Sequence, residues 1–150
     1  MNSIGLPENL KLRPLQSSDY DHGFFELLSQ LTVAPPLSRD IFEEILEDKH
    51  SRIFVIEELT SQKLVATVRL NLERKMFRGG RFVCHFEDFV VDERHRSQKL
   101  GAKLISFAKQ FARDNNCYKM IGICVEKLIG YYEKQGFSNT GNVFAEYFDN

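Results

Sequence analysis

Apolar residues recur along this chain with two periods, and the changes of period mark out its elements. Residues 9–15 alternate polar and apolar as a half-buried strand does, and Pro14 with the cluster Ser17, Ser18 and Asp19 supplies a turn and a helix cap. From Phe24 the spacing turns helical through Leu27, Leu28 and Leu31, until Ala34, Pro35 and Pro36 stop it. Ser38 caps a second helix, whose apolar stripe Ile41, Phe42, Ile45 and Leu46 opposes the acidic face Glu43, Glu44, Glu47 and Asp48. Three β-rich runs follow at 52–58, 64–73 and 82–91, with spacers short enough for antiparallel hairpins. Leu100, Leu104, Phe107, Ala108 and Phe111 then predict a helix up to Asn115. A strand at 118–125, a short helix at 126–134 ended by Gly136, and an extended segment at 137–148 complete the pattern.

A meander followed by strand, helix, strand and helix is an α+β arrangement around one mixed, mostly antiparallel sheet flanked by helices. The 150 residues suit one domain over 1–150, with no repeat or low-complexity stretch. Twenty Lys and Arg against 21 Asp and Glu leave a net charge of -1, which argues against nucleic-acid binding. No run approaches a membrane span, and the start lacks the apolar core of a signal peptide, so a cytoplasmic protein is expected. Cys84, Cys117 and Cys124 and the four histidines lack metal-ligand spacing; reduced core thiols and no metal are expected.

One loop stands out chemically. Between the run ending at Val91 and the next helix lie Arg96, Ser97, Gln98, Lys99, Leu100, Gly101 and Ala102, a basic, small-residue stretch at a helix start. Free backbone N–H groups and the positive end of the helix dipole converge there on a phosphate. A capped helix start with solvated Arg and Lys is the plainer reading.

With Arg96-x-x-Lys99-x-Gly101, this loop resembles the coenzyme loop of the GNAT family of N-acetyltransferases, whose pattern is Arg/Gln-x-x-Gly-x-Gly/Ala. Some 30 residues on, Gly130-Tyr131-Tyr132-Glu133-Lys134-Gln135-Gly136-Phe137 resembles that family's aromatic-Tyr-x-x-x-Gly-Phe signature. Within the family the chain is most similar to the branch that acetylates glucosamine 6-phosphate, through 23–32, 73–77, 85–92, 117–119 and 132–139.

The resemblance implies the GNAT fold and direct transfer of acetyl from acetyl-coenzyme A to the 2-amino group of glucosamine 6-phosphate. The product, N-acetylglucosamine 6-phosphate, serves UDP-GlcNAc synthesis. It implies coenzyme binding by Phe89, Val90, Val91, the 96–102 loop and Tyr132, with the Tyr132 hydroxyl meeting the coenzyme sulfur. Glu87 and Asp88 are implied as catalytic and substrate contacts, although adjacent residues on a regular strand point to opposite faces. Thr32, Lys75, Met76, Phe77, Arg78, Tyr118 and Lys119 are implied for the acceptor, where Lys and Arg neutralise a phosphate and Thr and Tyr hydroxyls donate to it. His85 reads as a satisfied sheet histidine. A homodimer that shares or exchanges the last strand is implied too, and Val143, Phe144, Tyr147 and Phe148 need burial.

Lys99 stands at a usual glycine, Ile123 where the family carries an acid, and Tyr147 at the place of a phosphate-binding arginine. These departures keep two alternatives open: an acetyltransferase of another amine, or a coenzyme-binding regulatory domain with impaired catalysis. Lys75, Arg78 and Lys119 argue for an anionic acceptor over a polyamine.

Overall fold

Strands β1 (Leu10–Pro14), β2 (Ser51–Glu58), β3 (Lys63–Arg74), β4 (Phe82–Val91) and β5 (Cys117–Gly122) pair in chain order into one five-stranded sheet. The computed structural model describes residues 4–149; residues 1–3, which open the stretch read as lacking a leader, and residue 150 lie outside it. The first three junctions are antiparallel, with short links between β2 and β3 and between β3 and β4 and the whole of 15–50 between β1 and β2, while β4–β5 is parallel. A parallel neighbour needs a crossover, and α3 (Leu100–Asp114) provides it. The sheet is mixed and mostly antiparallel with helices on both faces, as the period changes predicted.

On one face α3 buries Leu100, Leu104, Ile105, Ala108 and Ala112 against Leu12, Phe54, Ile56, Val68, Leu70 and Phe86. Phe54 meets Phe107 and Phe111 edge-on at 4.7 and 5.3 Å. The other face carries α1 (Phe24–Leu28) and α2 (Arg39–Glu47), whose Phe24, Phe25 and Phe42 pack edge-to-face with centroids 5.7–6.1 Å apart. Ser38 caps α2 by accepting the Ile41 N–H, as its position predicted. Fully buried Asp19 takes two guanidinium bonds from Arg13, at 2.7 and 2.8 Å, and Arg13 Nε donates to Glu57.

Three expectations are corrected. The helical stripe 24–31 gives only five residues of helix, because the Ser29 hydroxyl bonds back to the Phe25 carbonyl and the chain continues in single turns, leaving Leu31 exposed. Strand β5 ends at Gly122 and not at 125. The segment 137–148 forms no strand; Phe144 and Phe148 are 95% and 90% exposed.

Candidate active site

β4 and β5 run side by side only as far as the pair Phe86 and Gly122, and from there β4 continues alone to Val91. On its other side β4 stays bonded to β3: Asp92 N–H donates to the Val65 carbonyl, and Thr67 lies opposite Val90. Strand alternation then turns the N–H and C=O groups of Phe89 and Val91 into the open junction. Arg96 Nε, which donates to the Val91 carbonyl from that side, agrees with this parity. Val90 is turned the other way, with its side chain in the core under α1 and α2.

Glu87 and Asp88 do not alternate as a regular strand requires. Asp88 has a left-handed backbone, φ 49°, and the pairing of β4 with β3 shifts register there. The bulge adds one residue to β4, so that two residues, Glu87 and Asp88, separate Phe86 and Phe89, whose rings pack in the same core 5.0 Å apart. Both carboxylates are thereby exposed beside the mouth of the junction. Glu87 accepts from Asn71 Nδ2, and Arg69 Nε donates to Asn71 Oδ1, so a polar chain on the sheet face orients it.

The 96–102 loop occupies the end of this gap. Glu93–Gln98 forms a 3₁₀ turn, and Lys99 enters α3 with φ 57° and ψ 28°. No side chain caps α3, and Lys103 is its first residue whose N–H meets a loop carbonyl, that of Lys99. Leu100, Gly101 and Ala102 therefore offer backbone donors at the positive helix end, which suits the phosphates of a coenzyme. A Cβ on Gly101 would lie 2.8 Å from the Tyr131 hydroxyl and 3.4 Å from the Phe89 ring, so glycine permits this close contact.

Lys99 explains why its position usually carries glycine: a left-handed lysine costs roughly 1–2 kcal/mol. Lys99→Gly is expected to raise stability by about 1 kcal/mol in thermal unfolding and to keep coenzyme A affinity within about tenfold by calorimetry. Loss of all binding would instead make the lysine side chain a principal ligand.

Across the junction stands α4 (Ile129–Lys134). Its Tyr132 packs against Phe86 and Phe137 with centroids 6.4 and 5.8 Å away. Burial pushes the Tyr132 phenol up to about 12, with Tyr131 and Cys124 adding smaller repulsions, so the group keeps its proton at neutral pH. Tyr131, which the signature covers only as an aromatic position, brings its own hydroxyl to the α3 start; the Tyr-Tyr pair was the signal that could have singled it out.

The acceptor candidates fall into two groups. Phe77, Arg78, Tyr118 and Lys119 converge, with Arg78 and Lys119 5.1 and 5.6 Å from the Tyr118 ring centre and Phe77 edge-on at 6.4 Å. Lys75 lies over Phe77 and pairs with Glu73, which also meets His85 Nε2 at 3.0 Å; His85 is the satisfied sheet histidine expected. Those two contacts, Lys75 first, hold the Glu73 carboxyl below the usual range. Met76 is fully exposed. Thr32 lines a cavity of about 600 Å³ formed by α1 and the loop after it, with Phe25, Val33 and Pro35 but with none of the other acceptor candidates. Among the described residues no group of three or more His, Cys, Asp or Glu side chains is placed to hold a metal ion. No helix among them is long and apolar enough to cross a membrane.

Comparison with known proteins bears on all of this. Residues 13–137 match the model of the acetyltransferase (GNAT) family. The chain is 38% identical over 149 residues to glucosamine 6-phosphate N-acetyltransferase of Arabidopsis thaliana, covering 96% of this chain and 100% of that one. It is 38% identical over 132 residues to the Trypanosoma brucei brucei protein of the same name, covering 86% and 89%. The crystal structure of the Arabidopsis thaliana enzyme superimposes with a TM-score of 0.87 at 39% identity, over 95% of this chain and 100% of that chain. An open β4–β5 junction, an uncapped α3 and a protonated tyrosine thus coincide with a match over most of the length, and the chain belongs to the GNAT family of acetyltransferases.

Proposed function

We propose that this protein transfers the acetyl group of acetyl-coenzyme A to the 2-amino group of glucosamine 6-phosphate by direct attack, without an acyl-enzyme. The observation that carries the reading is the open β4–β5 junction, bordered by the backbone N–H groups of Phe89 and Val91, the uncapped start of α3 and Tyr132. When bound, acetyl-coenzyme A supplies an activated thioester acyl group. Residues 96–102 hold its phosphates through backbone donors, and the Phe89 and Val91 edge aligns its arm and the acyl oxygen. Glu87 and Asp88, brought to the mouth by the bulge, orient the acceptor amine. Tyr132 donates its proton to the departing thiolate.

For the acceptor, the names of the relatives and the cations Lys75, Arg78 and Lys119 argue together for an amino-sugar phosphate. The protein works as a homodimer in the cytoplasm. Exposed Val143, Phe144, Tyr147 and Phe148 lie in a segment unpaired with the sheet, and β5 is a free sheet edge able to take a strand from a second copy. Free Cys84 and Cys117 are compatible with a reducing compartment.

Steady-state assays with acetyl-coenzyme A test the acceptor. Glucosamine 6-phosphate is expected to be preferred over glucosamine. With Tyr147 in place of an arginine, one charge-assisted contact worth roughly 1.5–3 kcal/mol is missing, so Tyr147→Arg should enlarge the preference. Equal activity on both sugars in the parent protein would overturn the assignment and point to another amine.

A further inference from the structure

We infer that His95 is a positioning residue that pins the coenzyme turn in place, and that it does so as the imidazolium. The inference rests on the reading of residues 96–102 as the coenzyme site. His95 lies on the 3₁₀ turn immediately before Arg96. Its Nδ1 is 3.3 Å from Asp92 Oδ2 and its Nε2 is 3.4 Å from Glu58 Oε1, with the side chain 15% exposed. A neutral imidazole has one N–H, so one of these carboxylates would face a bare lone pair; with both nitrogens protonated, both contacts are charge-assisted hydrogen bonds.

The surroundings favour charged carboxylates. Asp92 also accepts from Gln30 Nε2 at 3.2 Å and from the Arg94 backbone N–H at 3.3 Å, and Arg94 Nε approaches it to 3.8 Å. Glu58 accepts from the Ser61 hydroxyl at 2.5 Å, and Lys63 is the nearby cation on its side. Burial pushes the Asp92 carboxyl up, but Gln30, Arg94 and His95 outweigh it and leave it below its usual range; Ser61, then His95, do the same to Glu58.

The ring therefore ties a turn to distant parts of the sheet. Glu58 ends β2, 37 residues away in sequence, while Gln30, beyond α1, also accepts the Glu93 N–H at 3.0 Å. Losing the ring proton releases one of these ties and lets the segment carrying Arg96 and the α3 donors drift from the geometry the phosphates need. A merely structural histidine would alter stability without making coenzyme affinity follow its charge.

Calorimetric titration of the full chain with coenzyme A from about pH 5.5 to about pH 8.5, alongside NMR titration of the His95 ring, tests this. Affinity should fall by about fivefold or more as the ring loses its proton. His95→Gln should bind more weakly at the acid end and lose that component of the pH dependence, and turnover at saturating acetyl-coenzyme A should change little. The coenzyme phosphates titrate equally with every variant, so the difference between profiles is read. Should His95→Gln be poorly folded, Glu58→Gln, an isosteric change at the end of β2, should move the loss of affinity to lower pH. Parallel profiles for parent and variants would overturn the inference. Ala102→Glu separates it from the reading it rests on: a carboxylate suits a helix start but repels phosphate, so unchanged affinity there refutes the coenzyme site itself. Lost affinity in that variant together with parallel His95 profiles refutes the histidine's role alone.

Discussion

Tyr132→Phe is expected to lower turnover by about 10²–10⁴-fold while coenzyme binding changes little, because the hydroxyl matters once charge reaches the departing sulfur. The substitution removes only an oxygen. The ring keeps its packing on Phe86 and Phe137, so folding and the shape of the junction are preserved. Burial, which holds the phenol at about 12, means that loss of this proton should lower the rate only on the far alkaline arm of the profile and not near neutral pH. Single-turnover rates measured beside coenzyme affinity decide the point, and an unchanged rate in the Phe variant rejects the role.

The second large effect concerns stability. Asp19→Ala should cost about 3–5 kcal/mol, because fully buried Asp19 holds the nearly buried Arg13 guanidinium through two bonds and Glu57 alone cannot replace them. In a chain of this size the melting temperature should drop by roughly 10 °C. A loss below about 1 kcal/mol in urea unfolding would mean that water compensates the cation. This ion pair joins β1 to the turn before α1, so the damage should fall on the face that carries α1 and α2.

Much of the scaffold was legible because its hydrophobic periods are clean. The alternation in β1, the β-rich runs of β2 to β4 and the stripe from Leu100 to Phe111 each meet a core that rewards them, and the structure follows them nearly to the residue. What failed was decided by neighbours. Ile121, Ile123 and Val125 carry strand propensity, yet β5 stops at Gly122 because β4 has by then diverged, and propensity cannot register where a partner goes. The bulge at Asp88 was invisible for a related reason: Glu87 and Asp88 read as alternating residues until Phe86 and Phe89 are seen to claim the same core. Among site residues, the coenzyme loop and Tyr132 came from motifs with mechanical reasons, a left-handed position at 99 and a close approach at Gly101. Asn71, Tyr131 and His95 came from tertiary contacts alone. Thr32 came from resemblance, and in this chain it lines a cavity that none of the other acceptor candidates lines.

Helix α4 is six residues long and buries none of them completely. It hangs on a few aromatic contacts, while the sheet below it is locked by four ladders and two cores. The free energy needed to detach α4 is accordingly far smaller than that needed to melt the sheet. Tyr132, the proposed acid, therefore sits on the element expected to open first, and gentle warming should withdraw it from the junction before the sheet melts. Inactivation and unfolding should then separate on the temperature scale, each set by a different part of one short chain.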